Sequence, residues 1–483
     1  MLAAVQGNTG GELVNAIDWI TRISDFLWGG VWDGASILPF PPMIALLFGT
    51  GLFFMARLGG RPLLRLGAGF TALWRGRAGV GDGAITPWRA LSTALAGQVG
   101  TGNVVGVATA ITLGGPGAIF WMWATALIGM ATAYAETTLA VHFRERRPDG
   151  RWRGGPMVSI KNGLGARWRW LAVLFSLGAL IAALGQTAMI QSNTFVTGVT
   201  SAGASLDLSF HPLVPGVVLG ALVFAVIFGG LKSIGAVAGR LSPLMAIGYL
   251  VACLVIVAQH VENLPGALVL IVSSAFGLEE AFGGAVGFGI VAAMRAGVAR
   301  GIASNEAGQG TTPIVHAAAQ TDNPARQGEI AMTGVFIDTL ILCTMTALVI
   351  LVVPGSYAGP DGGTVPFAWM SPELQGVEIV SAVFADGITG GRWLLTATVL
   401  VFAFTTLVSW SYYAEQAASF LFGDWTARPF RALWIVAILV GAVQPIDFVW
   451  KLGDIAMVAM TAPNLVALLA LSPVVVELTR NRR

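Results

Sequence analysis

Two glycine-rich segments interrupt apolar stretches of this chain. The first has the sequence GQVGTGN, from Gly97 to Asn103, and the second has FGGAVG, from Phe282 to Gly287. Each clustered glycine lowers helix propensity by about 1 kcal/mol, and backbone groups left unpaired in lipid need a ligand, an ion or a neighbour. Freed amides at a half-helix favour a carboxylate, and freed carbonyls favour a hard cation such as Na⁺. A zwitterionic amino acid together with a cation matches both.

Hydroxyl and amide side chains in these stretches are candidate ligands. Thr101 and Asn103, inside the first interruption, would orient the carboxylate and the amine of such a substrate. Thr405 and Thr406 open the hydroxyl-rich run TTLVSWSYY and are the candidate cation ligands. The alternative for each hydroxyl is a hydrogen bond back to the carbonyl four residues earlier in its own helix.

Four further polar residues fall within or near apolar stretches. Gln186 and Gln191 both need buried partners. Gln186 is the candidate for contact with a substrate amine, and a structural hydrogen bond between helices is the alternative. Glu136 and Asp338 fall near predicted cytoplasmic ends of spans, so we expect both to pair with arginines of the loops.

Motifs that mark enzymes are missing from the sequence. It contains no HExxH, no G-x-S-x-G and no Walker A lysine, the patterns of metalloprotease, hydrolase and phosphate-binding chemistry. We therefore expect no enzymatic activity, no ATP-driven transport and no organic cofactor. Nothing in the pattern of basic residues suggests a nucleic-acid partner.

Helices that cross a lipid bilayer must position these residues. Of 483 residues, 55% are apolar and 11% are charged, with a mean hydropathy of +0.75, whereas an ordinary soluble domain has about 25% charged residues. A span needs about 20 apolar residues, so we predict an all-α polytopic membrane protein with about eleven transmembrane helices. The predicted spans are 37–59, 90–113, 117–143, 169–200, 213–229, 243–260, 265–294, 329–354, 391–422, 430–446 and 450–478.

The spans after the first divide into two sets of five, and each set begins with a glycine-interrupted helix. Matching interruptions predict an inverted-repeat transporter with its substrate site at the membrane midplane, and close packing through small residues is the alternative. Residues 1–89 would hold an N-terminal interfacial helix, the extra transmembrane helix and a basic loop. Residues 90–260 would form the first five-helix repeat and 265–478 the second.

Basic residues predict the orientation in the membrane. With the N-terminus outside, 24 of the 27 lysines and arginines fall in segments on the inner side, as the excess of positive charge in cytoplasmic loops requires. We therefore expect a multi-pass protein of the cell membrane, with its N-terminus outside and its C-terminus in the cytoplasm.

Several long motifs resemble the alanine or glycine:cation symporter family, also called the sodium:alanine symporter family. The resemblance covers about residues 85–470. It implies a sodium-coupled carrier of small neutral amino acids, with a leucine-transporter-type five-plus-five inverted repeat and one extra N-terminal helix. The motifs are LSTALAG at Leu91–Gly97, VGTGNVVGVATAI at Val99–Ile111, GGPGAIFWMW at Gly114–Trp123, GGPM at Gly154–Met157, RGIASNEAGQGTTP at Arg300–Pro313 and PARQGEIAMTGVFIDTLILCT at Pro324–Thr344.

The resemblance also implies which residues form the site. Main-chain carbonyls near Gly97 and Gly100, together with Thr405 and Thr406, would hold Na⁺. The substrate would contact Gly100, Thr101, Gly102, Asn103, Gln186, Phe282, Gly283, Gly284 and Trp410.

The expected function is secondary active transport, in which Na⁺ influx drives uptake of alanine or glycine by alternating access. The alternative in the same class is a carrier of another neutral amino acid, such as glutamine or serine. A channel and an intramembrane enzyme are alternatives from other classes. The segment with Asn305, Glu306 and Gln309 would either cap helix ends and hold an inner gate or be a plain connecting turn.

Overall fold

Helices form nearly all of the regular structure. The computed structural model describes residues 18–38, 40–147, 149–277, 289–444 and 447–481. In the described residues, strands occur only as three two-stranded antiparallel hairpins. The pairs are Val31–Trp32 with Ala35–Ser36, Glu145–Arg146 with Trp152–Arg153, and Tyr357–Ala358 with Thr364–Val365.

The first half of the chain begins with a helical segment at 18–24, which continues into a π-helical turn at Asp25–Gly29. The helices that follow are α1 (Pro42–Arg57), α2 (Arg61–Leu64), α3 (Leu66–Arg75), α4 (Pro87–Gln98), α5 (Val105–Gly114), α6 (Gly117–His142), α7 (Pro156–Ser159), α8 (Arg169–Ala182), α9 (Ile190–Ala204), α10 (Leu213–Ile227) and α11 (Gly230–Gln259). A π-helical stretch, Ala183–Met189, joins α8 to α9 without a loop.

The second half repeats this succession of long helices. They are α12 (Leu264–Ala275), α13 (Ile290–Asn305), α14 (Thr312–His316), α15 (Pro324–Val335), α16 (Thr344–Val352), α17 (Val377–Gly387), α18 (Gly391–Phe422), α19 (Ala427–Val443), α20 (Asp447–Ala470) and α21 (Ser472–Arg480). A second π-helical stretch, Phe336–Cys343, joins α15 to α16.

Length and hydropathy identify the helices that can cross a membrane. Seven helices in the described residues qualify alone, and α4 with α5 forms an eighth span that bends by 60° at its break. Three shorter apolar helices, within 42–57, 213–227 and 261–275, match the other predicted spans. The prediction of an all-α polytopic membrane protein is confirmed, and the exact number of eleven spans stays a prediction.

Counterparts in the two predicted sets of five helices pack against each other. α6 contacts α15, α9 contacts α18, and α10 contacts α19. The interrupted helices also meet, because α13 packs along α5. The division into two five-helix repeats stays a prediction.

Three predicted boundaries differ from the structure. The span predicted at 243–260 begins at Gly230, because Lys232 and Arg240 lie within the helix rather than in a loop. Long basic side chains reach the headgroup level from inside a helix. The segment predicted at 265–294 is two helices, the second of which continues to Asn305. The last predicted span is also two helices, which meet at Leu471.

Candidate functional site

The first predicted interruption is a break between two half-helices. α4 begins at Pro87, after Thr86, whose hydroxyl accepts the Arg89 amide at 3.3 Å. The backbone leaves the helix at Val99 (φ −73°, ψ 97°) and is extended at Gly100 (φ −144°, ψ −155°). A single 3₁₀ turn at 101–103 then precedes α5. The last carbonyls of α4 and the first amides of the next turn are therefore free of ordinary helical partners.

The side chain of Asn103 holds the backbone of this break in place through hydrogen bonds. Its Oδ1 accepts the Gly100 amide at 2.9 Å, a bond that replaces the helical bond of that amide to Ala96. Its Nδ2 donates to Oδ1 of Asp338 at 2.6 Å and to Oγ of Ser304 at 3.1 Å. The predicted substrate ligand Asn103 is thus fully buried, with both ends of its amide already bound within the protein.

Asp338 is a charged residue at the break whose position the sequence analysis missed. Its Oδ2 accepts the hydroxyls of Ser304 and Thr339, each at 2.8 Å. The expected pairing with a loop arginine is wrong, since its partners are Asn103, Ser304 and Thr339. The helix starts at Pro324, so Asp338 lies about 21 Å along it rather than at its end.

The stretch that carries Asp338 is a π-helix, Phe336–Cys343. Such bulges are rare and occur frequently at functional sites, because the extra residue turns side chains away from the regular helical positions. The aspartate within an apolar run was the available sequence signal, since ionisable residues inside spans are functional candidates by default.

A row of hydroxyls on α18 faces the other side of the break. Thr406, Ser409 and Tyr413 are buried, and among the described residues none of their hydroxyl oxygens has a hydrogen-bond partner. A Cβ atom placed on Gly100 would lie 2.9 Å from Oγ1 of Thr406, and one placed on Gly97 would lie 3.3 Å from the Tyr413 hydroxyl. Thr406 therefore faces the break at Gly100 and Tyr413 faces the last turn of α4, and helical spacing places Ser409 on the same face of α18.

Thr405 differs from its neighbour Thr406. Its hydroxyl donates back to the carbonyls of Val401 and Phe402, each at 3.0 Å, and contacts Sδ of Met245 at 3.4 Å. Thr405 therefore follows the alternative expected for a helical hydroxyl. The structure brings Thr406, and not Thr405, together with Gly100.

Gln191 is the glutamine that reaches the break. Its Nε2 donates to Oγ1 of Thr101 at 3.2 Å, and its buried Oε1 has no partner among the described residues. Gln186 instead packs against Gly453 of α20, where an added Cβ would lie 3.0 Å from the Cβ of Gln186. The two glutamines fall in different helix types, because the π-helical stretch ends at Met189, and sequence spacing alone does not show which of them faces the site.

The turn after α13 lies beside the site and is bonded to two of its helices. Trp410, a predicted pocket residue, donates from Nε1 to Oε1 of Glu306 at 3.0 Å. Gln98, at the end of α4, donates from Nε2 to the Asn305 carbonyl at 2.6 Å. Gln309 donates from Nε2 to the Ile302 carbonyl at 3.0 Å. These bonds show that the segment caps helix ends and binds its neighbours, and its role as an inner gate stays a prediction.

Glu136 on α6 also forms hydrogen bonds around this turn. Its Oε1 accepts the Gly310 amide at 3.0 Å and the side-chain amide of Asn464. The expected pairing of Glu136 with a loop arginine is therefore also wrong. The helix ends at His142, as the predicted span does within one residue, but the side chain of Glu136 points into the protein, where it is buried.

The second interruption is described only at its two ends. α12 ends at Ala275 and α13 begins at Ile290. The predicted substrate residues Phe282, Gly283 and Gly284 lie outside the described residues. From the described part, α13 brings Ser304 to Asn103, so the two interrupted helices meet at the first break.

A helical membrane protein with a broken helix, unpaired hydroxyls facing that break and a buried carboxylate beside it has the features of a carrier rather than of an enzyme. The family model for the sodium:alanine symporter family matches residues 20–482. The chain belongs to this family, which is a family of transporters, and the coarse conclusion is a cation-coupled amino-acid transporter in the membrane.

Sequence similarity to three relatives covers most of the chain. An uncharacterized transporter of Haemophilus influenzae is 41% identical over 96% of this chain and 95% of its own length. The sodium/alanine symporter AgcS of Methanococcus maripaludis is 38% identical over 96% of both chains. A probable sodium/glutamine symporter, GlnT of Bacillus subtilis, is 35% identical over 90% of this chain and 86% of its own.

Proposed function

We propose that this protein couples Na⁺ influx to the uptake of alanine or glycine by alternating access. The observation that carries the proposal is the hydroxyl of Thr406, which is buried, has no hydrogen-bond partner among the described residues and faces Gly100 at the helix break. A buried hydroxyl oxygen beside the carbonyl end of a half-helix suits a hard cation.

The proposed Na⁺ site lies between the end of α4 and α18. The main-chain carbonyls near Gly97 and Gly100 would contribute oxygens on one side, and Thr406 would contribute its hydroxyl on the other. The negative charge of Asp338, on the opposite side of the break, would lower the cost of placing a cation at this depth. Thr405 is not part of the proposed site, because its hydroxyl lies against Sδ of Met245 and not against Gly100.

The proposed substrate site lies at the 3₁₀ turn. The free amides of Thr101 and Gly102 would bind the substrate carboxylate, and the unpaired Oε1 of Gln191 would accept a hydrogen bond from its amine. Trp410, fixed by Glu306, would limit the space for the side chain. Asn103 would act indirectly, by holding the backbone of the turn in place.

The driving force is sufficient for concentrative uptake. Each positive charge that enters along the membrane potential contributes about 2.3 kcal/mol per 100 mV, to which the Na⁺ concentration gradient adds. Inward movement of one Na⁺ with one zwitterion is therefore favourable against a large substrate gradient.

A second candidate substrate is glutamine, because one relative is a probable sodium/glutamine symporter. Serine remains in the same group of alternatives. The residues that would set the size of the pocket, around Phe282, lie outside the described residues, so the choice between these substrates rests on measurement.

Uptake into proteoliposomes tests the proposal. Purified protein is reconstituted, and uptake of labelled alanine is measured with an inward Na⁺ gradient, with an inward proton gradient, and with neither. We expect accumulation only with the Na⁺ gradient, and loss of accumulation when a Na⁺ ionophore is added. Equal accumulation without Na⁺ would contradict Na⁺ coupling.

Competition by unlabelled amino acids identifies the substrate. Alanine and glycine are expected to reduce uptake of the label most strongly at equal concentration, with serine weaker and glutamine weakest. Strong competition by glutamine and none by glycine would favour the second candidate. Conduction of ions without saturable amino-acid exchange would indicate a channel.

A further inference from the structure

The connection between the extra helix α1 and the broken helix is strongly basic. Between Arg57 and Val80 the chain contains five arginines and no aspartate or glutamate. We call residues 57–77 the basic interfacial segment; it includes the short helices α2 and α3. All five arginines of the segment are exposed: Arg57, Arg61, Arg65, Arg75 and Arg77.

The same segment also exposes large apolar side chains. Leu64 is 82% exposed and Trp74 is 65% exposed. The opposite face of α3, with Gly69, Ala72 and Leu73, is buried. A helix that presents arginines and large apolar side chains together is typical of the membrane interface, where both find a favourable environment.

Chain connectivity places this segment at the membrane surface. α1 ends at Arg57 and α4 begins at Pro87, and both helices belong to apolar segments that enter the bilayer. The residues between them therefore lie at one membrane surface, close to lipid headgroups. Leu64 and Trp74 can then contact acyl chains without leaving the segment.

The charges of the segment are largely uncompensated within the protein. Among the described residues, only Arg65 has an acidic partner, with Nη1 3.4 Å from Oε1 of Glu329. Arg77 lies over the rings of Trp74, at 3.6 Å, and Trp88, at 4.6 Å. Arg61 and Arg75 make no ion pair in the part of the chain that the structure describes, which leaves both guanidinium groups available to an anion.

The segment contacts α15, the π-helical stretch that follows α15 and the start of α4. Gly69 packs against the Glu329 carbonyl of α15, and Phe70 contacts Phe336 edge-to-face with ring centroids 5.9 Å apart. Gly76 packs against Pro87, the first residue of α4. Phe336 lies two residues before Asp338, so direct contacts connect the segment to the stretch that carries Asp338 and to the start of α4.

We propose that the basic interfacial segment binds anionic phospholipid headgroups, and that this binding supports transport by fixing α4 and α15. Arg61 and Arg75 would bind the lipid phosphate, while Leu64 and Trp74 would contact the acyl chains. The combination of several arginines, no acidic residue and exposed apolar side chains at the bilayer surface favours a lipid over a soluble anion. The lipid partner goes beyond the proposed transport function.

Tryptophan quenching tests the binding directly. The protein is reconstituted in phosphatidylcholine vesicles that contain either brominated phosphatidylglycerol or brominated phosphatidylcholine, and the contribution of Trp74 is obtained by difference from Trp74→Phe. We expect stronger quenching of Trp74 by the brominated phosphatidylglycerol. Equal quenching by the two lipids would overturn the proposal.

Two double variants show whether the arginines cause the preference. Arg61→Gln with Arg75→Gln is expected to remove the preferential quenching, because each arginine near an anionic membrane contributes about fivefold in affinity. The matched control is Arg167→Gln with Arg169→Gln, which removes two exposed arginines outside the segment. Preference retained in the first variant, or lost equally in the control, would contradict the assignment.

Transport in the same vesicles tests the functional part. Na⁺-driven alanine uptake by the wild type and by the control is expected to be faster when phosphatidylglycerol is present. The Arg61→Gln, Arg75→Gln variant is expected to transport at the same rate with and without phosphatidylglycerol, and this rate should equal that of the wild type in phosphatidylcholine alone. If phosphatidylglycerol stimulates that variant as strongly as the wild type, the proposed effect of the lipid on transport is overturned. If the wild type transports in neither lipid, only the proposed transport function is contradicted, because quenching measures lipid binding separately.

Discussion

The two sides of the first helix break differ in how their polar groups are satisfied. On the side of Asn103, Ser304 and Asp338, every side chain is hydrogen-bonded, with distances from 2.6 to 3.1 Å. On the side of α18, the hydroxyls of Thr406 and Ser409 are buried and have no partner among the described residues. Buried polar atoms in proteins are nearly always paired. The difference supports the proposal that the first side fixes the backbone of the break and that the second side would bind the ligand.

This division explains how a broken helix is stable inside a bilayer. The amide of Gly100 would be costly if it faced hydrocarbon, and Asn103 satisfies it from within the chain. The hydroxyls on α18 have no such partner among the described residues, and a bound cation would satisfy their oxygens. A variant on the paired side should therefore damage the site more than one on the unpaired side.

The largest effect is expected for Asp338→Asn. Asparagine keeps the size and most hydrogen bonds of the side chain but removes its negative charge, which leaves a cation at the break uncompensated. Loss of a charged partner in a buried site costs about 2–3 kcal/mol, or about a hundredfold in uptake. The measurement is the initial rate of Na⁺-driven alanine uptake per reconstituted protein.

The control for that variant is Asp386→Asn. Asp386 accepts the Tyr357 hydroxyl at 2.6 Å in an exposed position far along the chain from the break, and we expect near-normal uptake. If Asp338→Asn also transports within a few-fold of the wild type, the carboxylate acts only as a hydrogen-bond acceptor and its charge has no part in cation binding.

A smaller but still large effect is expected for Gly100→Ala. The added methyl group would lie 2.9 Å from Oγ1 of Thr406, in the space proposed for Na⁺. We expect uptake to fall by at least about tenfold, because displacement of one ligand from a cation typically costs more than 1.4 kcal/mol. Gly106→Ala is the matched control, since nothing lies within 4 Å of the added atom there. Similar loss in both variants would show that helix propensity, and not the ion space, is affected.

The smallest of these effects is expected for Gln191→Ala. It removes one neutral hydrogen bond to Thr101 and one proposed acceptor for the substrate amine. The expected change is a rise of about fivefold to tenfold in KM for alanine, with kcat less affected. Gln186→Ala serves as the comparison and should leave KM nearly unchanged. A larger rise for Gln186→Ala than for Gln191→Ala would reverse the assignment of the two glutamines.

The sequence allowed the break itself to be predicted, because GQVGTGN combines poor helix formers with an apolar context. It also identified Thr406 as a candidate ligand. It did not separate Thr406 from Thr405, since either hydroxyl of a neighbouring pair can bond back to its own helix. That choice depends on the rotation of α18 relative to α4, which is a property of the packed structure.

The partners of Asp338 and Glu136 were not predictable for a related reason. Both side chains were assigned to span ends by apolar windows. The helix that leads to Asp338 starts at Pro324, before its predicted window, whereas the helix of Glu136 matches its window and directs the side chain into the protein. Asp338 meets Asn103 across a distance of 235 residues in the chain. The π-helical stretch that carries it also alters the helical phase, so periodicity along the sequence does not give its direction.

The most direct test compares Thr406→Val with Thr405→Val in one assay. Both changes remove a hydroxyl from adjacent positions of α18 and keep the side-chain shape nearly constant. The quantity to measure is the Na⁺ concentration that gives half-maximal alanine uptake in proteoliposomes. The proposed site predicts a rise of about tenfold for Thr406→Val, as expected for the loss of one ligand, and no more than a small change for Thr405→Val. Equal Na⁺ dependence in the two variants and the wild type would contradict a Na⁺ site on the unpaired side of the break.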